Sequence, residues 1–112
     1  MIIKKYVFGA AAKGSRQQTH VHEVQGMTES ALDHSHRFSG ATGEVIPLEG
    51  GGHKHEYRAI TDYVNGHYHK IYVQTGPGIA VSDDDHVHHA QGSTTVDREH
   101  KHDFDLTTFQ AP

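Results

Sequence analysis

The sequence predicts an all-β protein built from three 33-residue β-hairpin repeats. Three observations carry this: six His-x-His pairs recur in fixed phase, β-branched residues dominate the apolar set, and glycine is frequent. The pairs are His20/His22, His34/His36, His53/His55, His67/His69, His86/His88 and His100/His102. Their first members lie 14, 19, 14, 19 and 14 residues apart, so the unit repeats every 33 residues and three copies fit. Val, Ile and Thr number 24 against three Leu, a composition that favours strands. The 12 glycines suit tight turns between short strands.

The first element is an arm, residues 1–19, which carries the apolar stretch Tyr6-Val7-Phe8. It has no apolar run long enough for a signal peptide, and no segment approaches a membrane span. The expectation is a chain made in the cytoplasm that meets neither membrane nor nucleic acid. The second element is residues 20–112, the three-repeat domain. Its copies agree beyond histidine: Thr28, Thr61 and Thr94 coincide, as do Thr42, Thr75 and Thr108, and Phe38, Ile71 and Phe104 share an apolar position. Gly43 and Gly76 also coincide, with Phe109 in their place in the third copy. That copy stops early, inside the segment that matches Gly43–Gly52. The arm is expected to supply the missing strand. In cis it would close a ring of three repeats. In trans it would join copies into a homo-oligomer or fibre by strand addition.

Spacing places the pairs on strands. Residues i and i+2 share one face of a strand, whereas in a helix they diverge by about 200°. The residues between, Val21, Ser35, Lys54, Tyr68, Val87 and Lys101, then face away, toward partly wet surroundings. Within a copy, His22 opposite His34 and His20 opposite His36 would centre the hairpin loops on Met27-Thr28-Glu29, Ile60-Thr61-Asp62 and Ser93-Thr94-Thr95. Four imidazoles would then form a rectangle of roughly 5 by 7 Å on one face. In a competing arrangement the copies circle a pseudo-threefold axis. His20/His22, His53/His55 and His86/His88 then form one layer of six imidazoles, and the other three pairs form a second. A short β-solenoid with ladders of His is a further alternative. The hairpin ring is the favoured architecture, with four-His and six-His sites both open.

The chemistry follows from the residue types. With no Cys, disulfides, thiolate sites and iron–sulfur clusters are excluded. A thin apolar core in a small domain calls for a staple, and imidazole-bound metal is the one still available. All twelve paired histidines are candidate ligands, for Zn, Cu, Ni or Fe, with several ions per chain. The expected function is non-catalytic metal sequestration or storage. The alternative is a metal-stabilised structural subunit. Binding should weaken near pH 6, where imidazole protonates. The net charge of −4 gives no basic face for nucleic acid. Catalysis is disfavoured: near-equal copies with saturating His leave no open coordination position, no Glu follows His67/His69 in its copy, and Glu29 lies seven residues after its pair, unlike the Glu a few residues after a cupin's His-x-His. His89, outside the pattern and matching Glu23 and Glu56, reads as a surface residue. Asp83-Asp84-Asp85 reads as a solvated acidic turn.

The alternating pairs, with His34-Ser35-His36-Arg37-Phe38-Ser39-Gly40-Ala41-Thr42-Gly43-Glu44 and Thr75-Gly76-Pro77, resemble the YmaF-like family of small histidine-rich bacterial proteins. The resemblance covers about residues 20–108 and includes both spacings. It implies a bacterial protein, with a spore-forming source and a spore or appendage association, and it implies no mechanism. The His-x-His motif alone is similar to that in the iron-loaded tips of some phage tail fibres, where three chains supply six His to each ion.

Overall fold

The computed structural model describes residues 19–112, which are strand, turn and loop with no helix among them. The strands are β1 (Glu23–Met27), β2 (Arg37–Ala41), β3 (Ile46–Pro47), β4 (His53–Lys54), β5 (Glu56–Ile60), β6 (Lys70–Gln74), β7 (Ile79–Ala80), β8 (His86–Val87), β9 (His89–Ser93) and β10 (Asp103–Thr107). The chain is therefore all-β, made of antiparallel hairpins. β1 pairs with β2, β5 with β6 and β9 with β10, while β3–β4 and β7–β8 form two-residue ladders. Glu23 lies opposite Ala41, Glu56 opposite Gln74 and His89 opposite Thr107. The strand expected at Tyr6-Val7-Phe8 lies outside the described residues.

The three long hairpins touch in a closed circuit, β2 against β5, β6 against β9 and β10 against β1. Single backbone hydrogen bonds join them at both ends. Gly43, Gly76 and Phe109 donate to the carbonyls of Glu56, His89 and Glu23 at 2.8–2.9 Å. Glu29, Asp62 and Thr95 donate to those of Asp103, Arg37 and Lys70 at 2.8–3.0 Å.

The hairpin register differs from the one expected. The His22 carbonyl accepts from the Thr42 N–H and the His22 N–H donates to the Thr42 hydroxyl, with no such pairing to His34, and the His36 carbonyl accepts from the Thr28 N–H. The turn is the reason. Ala31 and His34, Val64 and His67, and Asp97 and His100 each exchange two backbone hydrogen bonds. Between them stand Leu32-Asp33, Asn65-Gly66 and Arg98-Glu99, all at positive φ from 52° to 83°. Positive φ at both central residues defines the twisted two-residue turn that matches strand twist. Each turn thus falls four residues beyond the threonine, and the two histidine pairs of a copy go to opposite ends of its hairpin. The four-His rectangle does not form.

Alternation fixes what faces inward. Along the first hairpin His22, Val24 and Thr28, then His36, Phe38 and Thr42, are buried, while Glu23, Gln25, Met27, Arg37 and Ser39 are exposed. The apolar core comprises Val24, Phe38, Tyr57, Ile71, Ala90, Phe104 and Leu106. It is packed by size matching across strands: Gly26 faces Phe38, Ala59 faces Ile71, and Gly92 faces Phe104. A methyl group on Gly26 would stand 2.6 Å from Phe38 Cζ, so glycine is required beneath that ring. Tyr57 reaches across to the neighbouring hairpin, donating its hydroxyl to the Ser39 carbonyl at 2.9 Å. Burial pushes that hydroxyl's pKa up to about 12.

Candidate metal centres

The apolar core has a histidine cage at each end. Six residues along a strand separate His22 from Thr28, which sits beside His36, so the cages are roughly 20 Å apart at about 3.3 Å per residue. The first cage is His20, His22, His53, His55, His86 and His88, whose ligand nitrogens all lie within 4.8 Å of one another. In the second, His34, His36, His67, His69 and His102 meet the same limit. His100 joins them with its Nε2 3.2 Å from that of His67 and 3.3 Å from that of His69. All twelve paired histidines are therefore gathered, six to a cage, as in the layered arrangement.

Two facts define the chemistry. The Nε2 atoms point at one another, with neighbouring pairs 3.1–3.3 Å apart in both cages. The Nδ1 atoms point away, at backbone carbonyls. In the second cage all six Nδ1–H groups donate, to Leu32, Asp62, Asn65, Thr95, Arg98 and Glu29, at 2.9–3.2 Å. In the first, His22, His55 and His88 donate to Phe109, Gly43 and Gly76 at 2.9 Å. A carbonyl only accepts, so each of these Nδ1 atoms carries the hydrogen and each neutral ring presents a bare Nε2 lone pair. Lone pairs 3.2 Å apart repel one another. The Nε2 atoms of His36, His55 and His102 are buried without a hydrogen-bond partner, a costly condition unless a cation satisfies them.

The cage dimensions suit such a cation. Six donors about 2.1 Å from one ion, an ordinary metal–imidazole distance, stand about 3.0 Å apart along an octahedron's edges and about 4.2 Å across it. The observed edges and upper limit have those proportions. These histidine groups can hold metal ions.

Burial favours the neutral, ligating form at seven of the rings. It lowers the pKa of His20 to about 3, helped by the neighbouring His55, His22, His53 and His86. His88 falls to about 4 by burial, against an opposing hydrogen bond to Gly76. His22, His53, His67, His86 and His102 are also lowered, first by burial and then by the other histidines.

The six repeated threonines position the cages, a role the spacing of His alone does not reveal. Each accepts the backbone N–H of a caged histidine: Thr42 from His22, Thr28 from His36, Thr75 from His55, Thr61 from His69, Thr108 from His88 and Thr94 from His102, at 3.0–3.1 Å. Thr42, Thr61 and Thr75 also donate to the carbonyls of Gly43, Asp62 and Gly76, the groups that hold the Nδ1 atoms of His55, His36 and His88. Their shared phase with the histidines was the available signal. Two carboxylates flank the second cage, Asp62 at 3.6 Å from His36 Nδ1 and Asp97 at 3.3 Å from His69 Nδ1.

His89 takes no part in either cage. It lies 3.3 Å from Asp105 at the surface. Asp83, Asp84 and Asp85 form a turn in which Val81 N–H donates to the Asp85 carbonyl, with Asp83 and Asp84 exposed. Among the described residues no helix is long and apolar enough to cross a membrane.

No curated protein and no solved structure matches the chain. A family model does, over residues 17–110: YmaF, described as spore germination protein GerY/YamF. The match spans both cages and all three hairpins, and the chain belongs to the YmaF family.

Proposed function

We propose that this protein binds two divalent transition-metal ions per chain, one in each six-histidine cage, as a non-catalytic holder of metal. The observation that carries the reading is the second cage, where six carbonyl-tied rings aim six lone pairs at one point. Six imidazoles saturate an octahedral ion and leave no position for substrate or reactive water, which argues against an enzyme. Full six-coordination favours Fe(II), Ni(II) or Co(II) over Zn(II) or Cu(II), which favour lower or distorted coordination. We read the hairpins as three equivalent repeats about a pseudo-threefold axis. The matching registers and the cyclic hydrogen bonds between hairpins support this. On this reading each ion clamps all three repeats, so metal is structural as well as cargo. The family's description supports a spore-associated role.

X-ray absorption on the metal-loaded protein tests the cages. Six nitrogen neighbours per ion are expected, and a four-coordinate or oxygen-rich shell would refute them. A second reading, a structural subunit assembling through its N-terminal arm, rests on a different observation. His53-Lys54 and His86-Val87 have ladder partners, whereas among the described residues their counterpart His20-Val21 has none. We propose that a strand from residues 1–18, of this copy or another, fills that place. Deleting residues 1–12 should reduce assembly size by light scattering if the strand acts in trans. Unchanged size rejects the homo-oligomer or fibre.

A further inference from the structure

We infer that the two cages hold their ions on different terms: the cage at the two-residue turns keeps a permanent ion, and the cage at the opposite end exchanges its ion with small chelators. This rests on the metal reading above and adds a division of labour between the sites.

Three independent differences support it. The first is ring anchoring. In the turn-end cage six of six Nδ1–H groups are tied to carbonyls. In the other, His22, His55 and His88 are tied, and His20, His53 and His86 have no carbonyl acceptor among the described residues. A tied ring is fixed in tautomer and orientation and is a more basic ligand.

The second difference is backbone. His34, His67 and His100 each follow directly on a two-residue turn closed by paired hydrogen bonds. Their counterparts are set differently: His53 and His86 sit on two-residue ladders after five-residue loops, His86 alone also exchanges two backbone hydrogen bonds with Ala111, and His20 precedes β1 by three residues. Gly50, Gly51 and Gly52, all at positive φ, lead into His53.

The third difference is charge. Six neutral imidazoles leave a divalent ion's charge uncompensated in a buried site. Asp62 and Asp97 stand at the Nδ1 atoms of His36 and His69, and no carboxylate is in ion-pair range of a ligand in the other cage among the described residues. Asp85, the chain neighbour of His86, acts on that ring through its charge without an ion-pair contact. Ligand loss from the unanchored cage can therefore start with one ring rotating about its own side-chain bonds. In the anchored cage the same step breaks a carbonyl hydrogen bond and, at His36 and His69, also separates the ring from a carboxylate.

The test is chelator-driven release from the full chain loaded with Ni(II), followed by the colour of the nickel–chelator complex. Two phases are expected, one ion each, with rates at least about tenfold apart. His53→Ala, or His20→Ala where the first variant folds poorly by circular dichroism, should remove the fast phase and retain the slow ion. Asp62→Asn with Asp97→Asn should speed the slow phase about tenfold and leave the fast one alone. Release of both ions in one phase overturns the inference, as does loss of the slow ion in His53→Ala. Neither result touches the metal reading itself, which is tested separately by whether the unaltered protein retains ions at all and by their coordination.

Discussion

Thr61→Val isolates what a positioning residue contributes to a single cage. Valine has nearly the same shape but neither accepts nor donates a hydrogen bond. In the native chain Thr61 is 5% exposed, accepts the His69 N–H at 3.0 Å and donates to the Asp62 carbonyl at 3.1 Å. That carbonyl in turn holds His36 Nδ1 at 3.0 Å. The substitution leaves the buried His69 N–H without an acceptor, a cost of about 1–3 kcal/mol that falls on the metal-free fold. It also loosens two ligands of the turn-end cage, and losing a partner one step behind the ligand weakens metal affinity by roughly 10–100-fold. The other cage, with no shared partners, should be unaffected, because distant sites behave additively. Denaturant unfolding of the metal-free protein reads the first effect, and chelator competition at pH 7.5 reads the second, one ion at a time. Equal weakening of both ions would refute the reasoning, as would unchanged affinity in a chain destabilised by the stated amount.

Other expectations follow from the same geometry. Gly26→Ala should destabilise by about 1–3 kcal/mol through overpacking against Phe38. Adding Phe38→Ile should recover most of that, since Ala59 facing Ile71 is the pair in the second hairpin; denaturant midpoints of both variants decide. Replacing Leu32-Asp33 by Asn-Gly should stabilise by about 1–2 kcal/mol, because ordinary residues at positive φ are strained; an unchanged melting temperature would count against it. The metal-free fold should weaken as pH falls. His20 and His88 titrate near 3 and 4 in the fold against 6.5 unfolded, so below 6.5 the unfolded chain takes up protons that the folded one does not. Their contribution is full above about pH 6.5 and is lost progressively toward pH 4 and 3, which circular dichroism against pH would follow.

Much of this was legible in the chain because periodicity is direct evidence of geometry. The 33-residue phase of the His-x-His pairs identified all twelve cage residues, and the two-residue spacing put both members of a pair on one face. The register was not recoverable from histidine alone. Pairing His22 with His34 satisfies the alternation as well as pairing His22 with Thr42 does, and only the turn decides between them. Asn65-Gly66 marks that turn, being the strongest short hairpin signal in the sequence. Its counterparts Leu32-Asp33 and Arg98-Glu99 hide it, because neither pair favours positive φ. The role of the threonines was hidden for a related reason. A β-branched residue in a strand-rich chain reads as propensity until its hydroxyl is seen against a histidine N–H. The carboxylates Asp62 and Asp97 come close to ligand rings only through contacts between neighbouring hairpins, and local spacing does not encode those contacts.

Two six-histidine cages holding one ion each fix the metal content of the chain. Elemental analysis of the protein, purified without chelator and quantified by amino-acid analysis, reads that content. Two equivalents of transition metal per chain are expected, falling to one in a chain where His36 and His69 are both alanine. Three equivalents per chain would contradict the account in favour of one four-histidine site per hairpin, and none after loading with Ni(II), Co(II) or Fe(II) would contradict it outright.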